Sequence, residues 1–174
     1  MCAILKARIP DREDHRMLTS DSPTKQKLRV YLDNCCYNCP YDDQSQLKVS
    51  MEAQAKLEIQ QQIRDGKLEL TTSYILEAEN AVNPFAAKRT DIQSFIDHYT
   101  KVFVSDHMDA KVRQKAAEIM NSGVKLMDAC HVACAILSDC DFFLTTDKRL
   151  LKYHTDAIRL MNPAAFILEQ EVEG

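Results

Sequence analysis

KLRVYLDNCC, residues 27–36, decides how the rest of the chain is read. Leu28 to Leu32 is a short apolar run rich in strand formers, and it stops at Asp33-Asn34. Asp33 ends a central-looking strand and has no evident work there as a helix cap. That makes a carboxylate at the end of an apolar strand the first feature to explain.

Outward from this strand, helical and strand patterns alternate. The spacing predicts a helix over 44–64, with Leu47, Met51, Ala55, Leu57, Ile59 and Ile63 on its apolar face. Asp43 and Gln46 resemble a capping box, and Asp65-Gly66 ends the helix. A second strand follows at 68–72, then a short helix YILEAENAV (74–82), and Pro84 opens another helix that leads to a strand at 101–104. Ser105 or Asp106 caps a helix running to about 121, which Ser122-Gly123 breaks. LMDACHVACAILS (126–138) is helical, and apolar strands are expected at 142–145 and 157–161 around the turn DKRLLKY. Asn162-Pro163 opens a terminal helix. Such alternation predicts βαβ units and a three-layer α/β/α sandwich around a mostly parallel sheet of about five strands.

The chain has 174 residues, 45% hydrophobic and 28% charged, which suits one ordinary domain with a core of its own. Residues 1–26 show no sustained period and are expected to be a flexible extension, leaving 27–174 as a single domain. No apolar run approaches the ~20 residues of a membrane span, and the first residues lack the apolar middle of a signal peptide. Seven cysteines, an odd number without framework spacing, suggest a reducing, cytoplasmic setting. Cys36 and Cys39 form a CxxC next to Cys35, but no second ligand pair accompanies them, so packing is favoured over zinc. Lys and Arg number 22 against 26 Asp and Glu, which argues against bulk-charge binding to nucleic acid while leaving room for a local metal-binding site.

In open parallel sheets, ligands bind beyond the carboxyl ends of the strands. Asp33 and Asp147 follow strands there, and Glu77 and Glu79 lie on the helix leaving the second strand. Asp128 opens a helix that runs antiparallel to the strand it feeds, so its first turn falls on the same edge. Any one of these acids alone reads best as a cap or turn former, and Asp42, Asp43, Asp106 and Asp109 stay in that class. Together they point to a hard divalent ion, magnesium or manganese, because clustered carboxylates need a cation to offset their repulsion. Such an ion activates water against a phosphodiester.

YLDNCC (31–36), SYILEAEN (73–80), KLMDACHVACAI (125–136) and FFLTTDKRLL (142–151) resemble, in order, the successive motifs of the PIN domain family. The resemblance implies a five-stranded parallel sheet and a magnesium- or manganese-dependent ribonuclease, many bacterial members being toxins of toxin–antitoxin pairs. Residue by residue, it carries the acidic quartet to Asp33, Glu79, Asp128 and Asp147, and the T-x-D threonine to Thr145. Glu77 is the alternative second acid: it lies about 200° from Glu79 around a helix, so only one of them faces the site. The family often has Thr or Ser and then Asn after its first Asp, whereas Asn34 and Cys35 follow Asp33 here.

Asn34 is a candidate supporting contact to the metal shell or a phosphate. His131, three residues after Asp128 on nearly the same helix face, reads first as a hydrogen-bonded core or rim histidine. Lys148, Arg149 and Lys152 are candidate contacts to an RNA backbone, or simply a solvated face. The partners implied are an RNA substrate, an antitoxin protein and a second copy of the chain, the last through the helices at 44–64 and 84–100. A catalytically idle PIN-like module that binds RNA or protein is the alternative function.

Overall fold

The structure is a computed structural model and describes residues 27–37 and 47–173. The expected N-terminal extension, the Asp43–Gln46 capping box and Cys39 lie outside the described residues. Five strands, β1 (Arg29–Leu32), β2 (Glu69–Ser73), β3 (Thr100–Val104), β4 (Phe142–Leu144) and β5 (Arg159–Met161), form one sheet in the order β3-β2-β1-β4-β5. All four pairings are parallel. β1 is therefore central, as its buried Val30, Tyr31 and Leu32 imply.

Among the described residues, six α-helices cover the sheet: α1 (Leu47–Arg64), α2 (Tyr74–Ala81), α3 (Ala86–Tyr99), α4 (Asp109–Met120), α5 (Leu126–Leu137) and α6 (Pro163–Glu173). The two-residue period of a strand sorts the core into two layers. Val30, Leu32, Phe142 and Leu144 join Ile59 and Ile63 of α1, Ile92, Phe95 and Ile96 of α3, and Phe166 of α6. Tyr31 and Phe143 face the other way, among Val112 and Ala116 of α4 and Val132 and Ala133 of α5. Register places Tyr31 beside Phe143, and their rings stack at 5.4 Å. Leu144 is fully buried in the first layer, and truncating such a leucine to alanine costs about 2–5 kcal/mol.

Local chemistry accounts for the element ends. Gly66, at φ +68, closes α1, where the N–H of Lys67 reaches back to Gln62. The Ser73 side chain caps α2 by accepting the Leu76 N–H. Several expectations shift by a residue or two. The segment after β3 begins as a 3-10 turn, Asp106–Met108, before α4, and DKRLLKY narrows to a 3-10 turn at Leu150–Lys152. Met51, expected on the buried face of α1, is 54% exposed. It lines a shallow groove with Ala164, Ile167 and Leu168 of α6, while Ala53, Ala55, Ile59 and Ile63 turn inward. No helix among the described residues is long and apolar enough to cross a membrane.

Candidate metal and phosphodiester site

The carboxyl edge of the sheet gathers acids from four elements. Asp33 continues the ladder past β1, its N–H bonding the Leu144 carbonyl at 2.9 Å. Its Oδ2 accepts a hydrogen bond from Thr145 Oγ1 at 2.6 Å and one from the Cys35 thiol at 3.2 Å. Thr145 is fully buried just after β4, and its Oγ1 also accepts the Asp147 N–H at 3.0 Å. Asp147 Oδ1 accepts the Arg149 N–H at 2.7 Å, so this acid fixes its own turn while standing on the rim.

Asp128 lies in the first turn of α5, where a carboxylate suits the helix dipole. Burial pushes its carboxyl above the ordinary range, and repulsion from Asp33 and then Asp147 adds to that. These three acids therefore share one field. Glu79 enters from α2: His131 Nε2 donates to its Oε2 at 3.0 Å and holds the carboxyl below its usual range, with help from Asn34. Glu77 has no such partner among the described contacts, whereas Glu79 reaches a buried histidine of α5.

The donors suit a hard divalent cation in kind. Four carboxylates supply oxygen, and the Asn34 amide oxygen beside them is buried without a hydrogen-bond partner. Among the described residues, no lysine or arginine forms a salt bridge with Asp33, Asp128 or Asp147. Nor are any three His, Cys, Asp or Glu side chains among them arranged as a finished metal cage. Asp33 and Asp147 act on Asp128, while Glu79 meets α5 through His131.

A cavity of about 330 Å³ adjoins the acids. Asp128 and Asp147 line it together with Lys125, Arg149, Lys152, Tyr153 and His154. Lys148 lies elsewhere, in a depression with Met51, Glu52 and Asn162, so the three basic residues expected to act as a group are divided between two surfaces. Lys125, Tyr153 and His154 escaped the sequence reading. The topology argument that placed Asp128 on the rim applies equally to Lys125, three residues before it. Neither Tyr31 nor Ser73 is among the candidate site residues of the sequence, yet both connect to the site through His131.

The PIN domain profile matches residues 49–155. The chain belongs to the PIN domain family. Among solved structures, VapBC2 from Rickettsia felis bound to a DNA fragment from their promoter is similar over 78% of this chain and 98% of that chain. The sequence identity is 12% and the TM-score 0.49. No curated protein matches the sequence.

Proposed function

We propose that the chain is a divalent-metal-dependent endoribonuclease in which Asp33, Glu79, Asp128 and Asp147 hold magnesium or manganese. The observation that carries this reading is that Asp128 and Asp147 line one cavity together with Lys125, Arg149 and Lys152, with Asp33 near enough to repel Asp128. When bound, a divalent ion lowers the pKa of water and neutralises charge developing on a phosphoryl group. The protein's own groups do the positioning. Thr145 fixes the Asp33 carboxylate, His131 fixes that of Glu79, and Lys125, Arg149 and Lys152 offer cations to the RNA backbone.

Cleavage of a labelled single-stranded RNA in magnesium or manganese tests the proposal, with Asp33→Asn and Asp128→Asn alongside the parent. Loss of cleavage in both variants and in excess chelator is expected. Equal activity in all three proteins, or full activity in chelator, refutes it.

A second reading, an idle PIN domain that binds RNA or protein, draws on the absence of a finished cage among the described residues and on Cys35 following Asn34. It predicts no cleavage with either ion and unchanged binding after the four acids are neutralised.

A further inference from the structure

Behind the acidic rim, four side chains form a line of hydrogen bonds through the core. Ser73 Oγ lies 2.7 Å from Tyr31 Oη, Tyr31 Oη 2.8 Å from His131 Nδ1, and His131 Nε2 3.0 Å from Glu79 Oε2. Ser73 and Tyr31 are fully buried and His131 is 2% exposed. The line begins at the cap of α2, crosses β1 and α5, and returns to α2 at Glu79, so the same two side chains tie down both ends of that helix.

Donor and acceptor capacity fixes the direction of each bond. A carboxylate only accepts, so His131 Nε2 carries a hydrogen. In a neutral imidazole the other nitrogen then presents a lone pair, and the Tyr31 hydroxyl must donate to it. Tyr31 Oη in turn accepts from Ser73, whose Oγ accepts the backbone N–H of Leu76 at 3.2 Å. Packing alone would ask for no hydroxyl at position 31, because a phenylalanine there would keep the stack on Phe143.

We propose that Tyr31 and His131 are positioning residues, a buried relay that keeps the His131 Nε2–H turned to Glu79 and thereby fixes the Glu79 carboxylate at the metal site. This rests on the nuclease reading with Glu79 as the second acid. A histidine tautomer set by what its other nitrogen touches is a general means of orienting a group near a metal, and losing such a partner commonly lowers metal affinity or activity about 10–100-fold.

The experiment combines ¹⁵N NMR of the histidine rings at neutral pH with Mn²⁺ binding followed by electron paramagnetic resonance. In the parent, Nδ1 of His131 is expected to be the unprotonated nitrogen. Tyr31→Phe should mix the tautomers and weaken Mn²⁺ binding at least about tenfold. His131→Gln, whose side-chain amide can donate as Nε2 does, should bind Mn²⁺ more tightly than His131→Leu. A parent carrying its proton on Nδ1, or a Tyr31→Phe protein with unchanged tautomer and unchanged Mn²⁺ affinity, overturns the relay. Neither readout depends on turnover. A parent with the expected tautomer and Mn²⁺ response that fails to cut RNA refutes the nuclease reading and leaves the relay standing.

Discussion

Thr145 Oγ1 lies 2.6 Å from Asp33 Oδ2 and accepts the Asp147 N–H at 3.0 Å, so one buried hydroxyl joins two acids of the rim. Removing it frees the Asp33 carboxylate and leaves the Asp147 N–H without its partner. Thr145→Val, nearly the same shape, should reduce RNA cleavage about 10–100-fold and cost about 1–3 kcal/mol of stability. Thr145→Ser should recover most of both losses. Cleavage rates and urea unfolding of the two variants check this, and a fully active Thr145→Val would remove the hydroxyl from the account.

The ionised Asp128 carboxylate costs the fold stability. Burial and the nearby charges of Asp33 and Asp147 raise its carboxyl above the ordinary value. A raised folded-state pKa means the contribution favouring the fold is complete below the unfolded value and disappears as pH rises through the folded one. At neutral pH the ionised group therefore opposes folding. Asp128→Asn in chelator should raise Tm at pH 7 by roughly 2 °C, a modest gain because water screens a part-exposed carboxylate. The advantage should shrink as pH falls through the raised value. Saturating Mn²⁺ should stabilise the parent by mass action and the variant much less, and thermal scans with and without metal measure both effects.

Glu77 and Glu79 separate by partner. Glu79 accepts from His131, and that bond holds its carboxyl below the usual range. A lowered folded-state pKa supplies stability above the unfolded value, and that stability is lost as pH falls through the folded one. Glu79→Gln should therefore destabilise the protein at pH 7, lose that deficit in acid, and abolish cleavage. Glu77→Gln should leave both stability and cleavage near the parent's. Matched pH titrations of Tm, with cleavage assays, decide between the two acids.

Cys35 is the reactive thiol among the described cysteines. The Cys36 thiol, the largest influence, lowers its pKa, and the Thr146 N–H assists. Cys36, Cys130, Cys134 and Cys140 are buried with raised values. N-ethylmaleimide should label Cys35 ahead of those four and stop cleavage, since the adduct would crowd Asp33, 3.2 Å away. Cys35→Ser keeps a donor to Asp33 and should be active and resistant. Peptide mass mapping against residual activity tests the order.

The sheet was legible because its strands announce themselves locally. Leu28–Leu32 and Phe142–Leu144 are apolar runs that end in polar residues, and Gly66 and Gly123 break the chain after α1 and α4, although Ser105 and Asp106 do not cap α4 as the sequence suggested. The rim followed from topology, since an acid at the end of a parallel strand and one opening the helix that feeds it must share an edge. Tyr31, Ser73 and His131 were harder to read as a group. Tyr31 sits in an apolar strand as any aromatic would, and its bond to His131 joins residues 100 apart in sequence. Composition could not divide Lys148 from Arg149 and Lys152 either, because a one-residue step around a tight turn sends neighbouring side chains to different surfaces.

The bond between Thr145 and Asp33 spans 112 residues, and the Thr145 backbone N–H is itself held by the Met161 carbonyl of β5. Parallel pairings of this kind close late, after long crossovers have been drawn in. During synthesis β1 and its aspartate emerge well before β4 and β5, their later partners. A growing chain thus carries Asp33 and Glu79 well before Asp128 and Asp147. The proposed quartet cannot meet until Asp147 has followed the other three acids out of the ribosome.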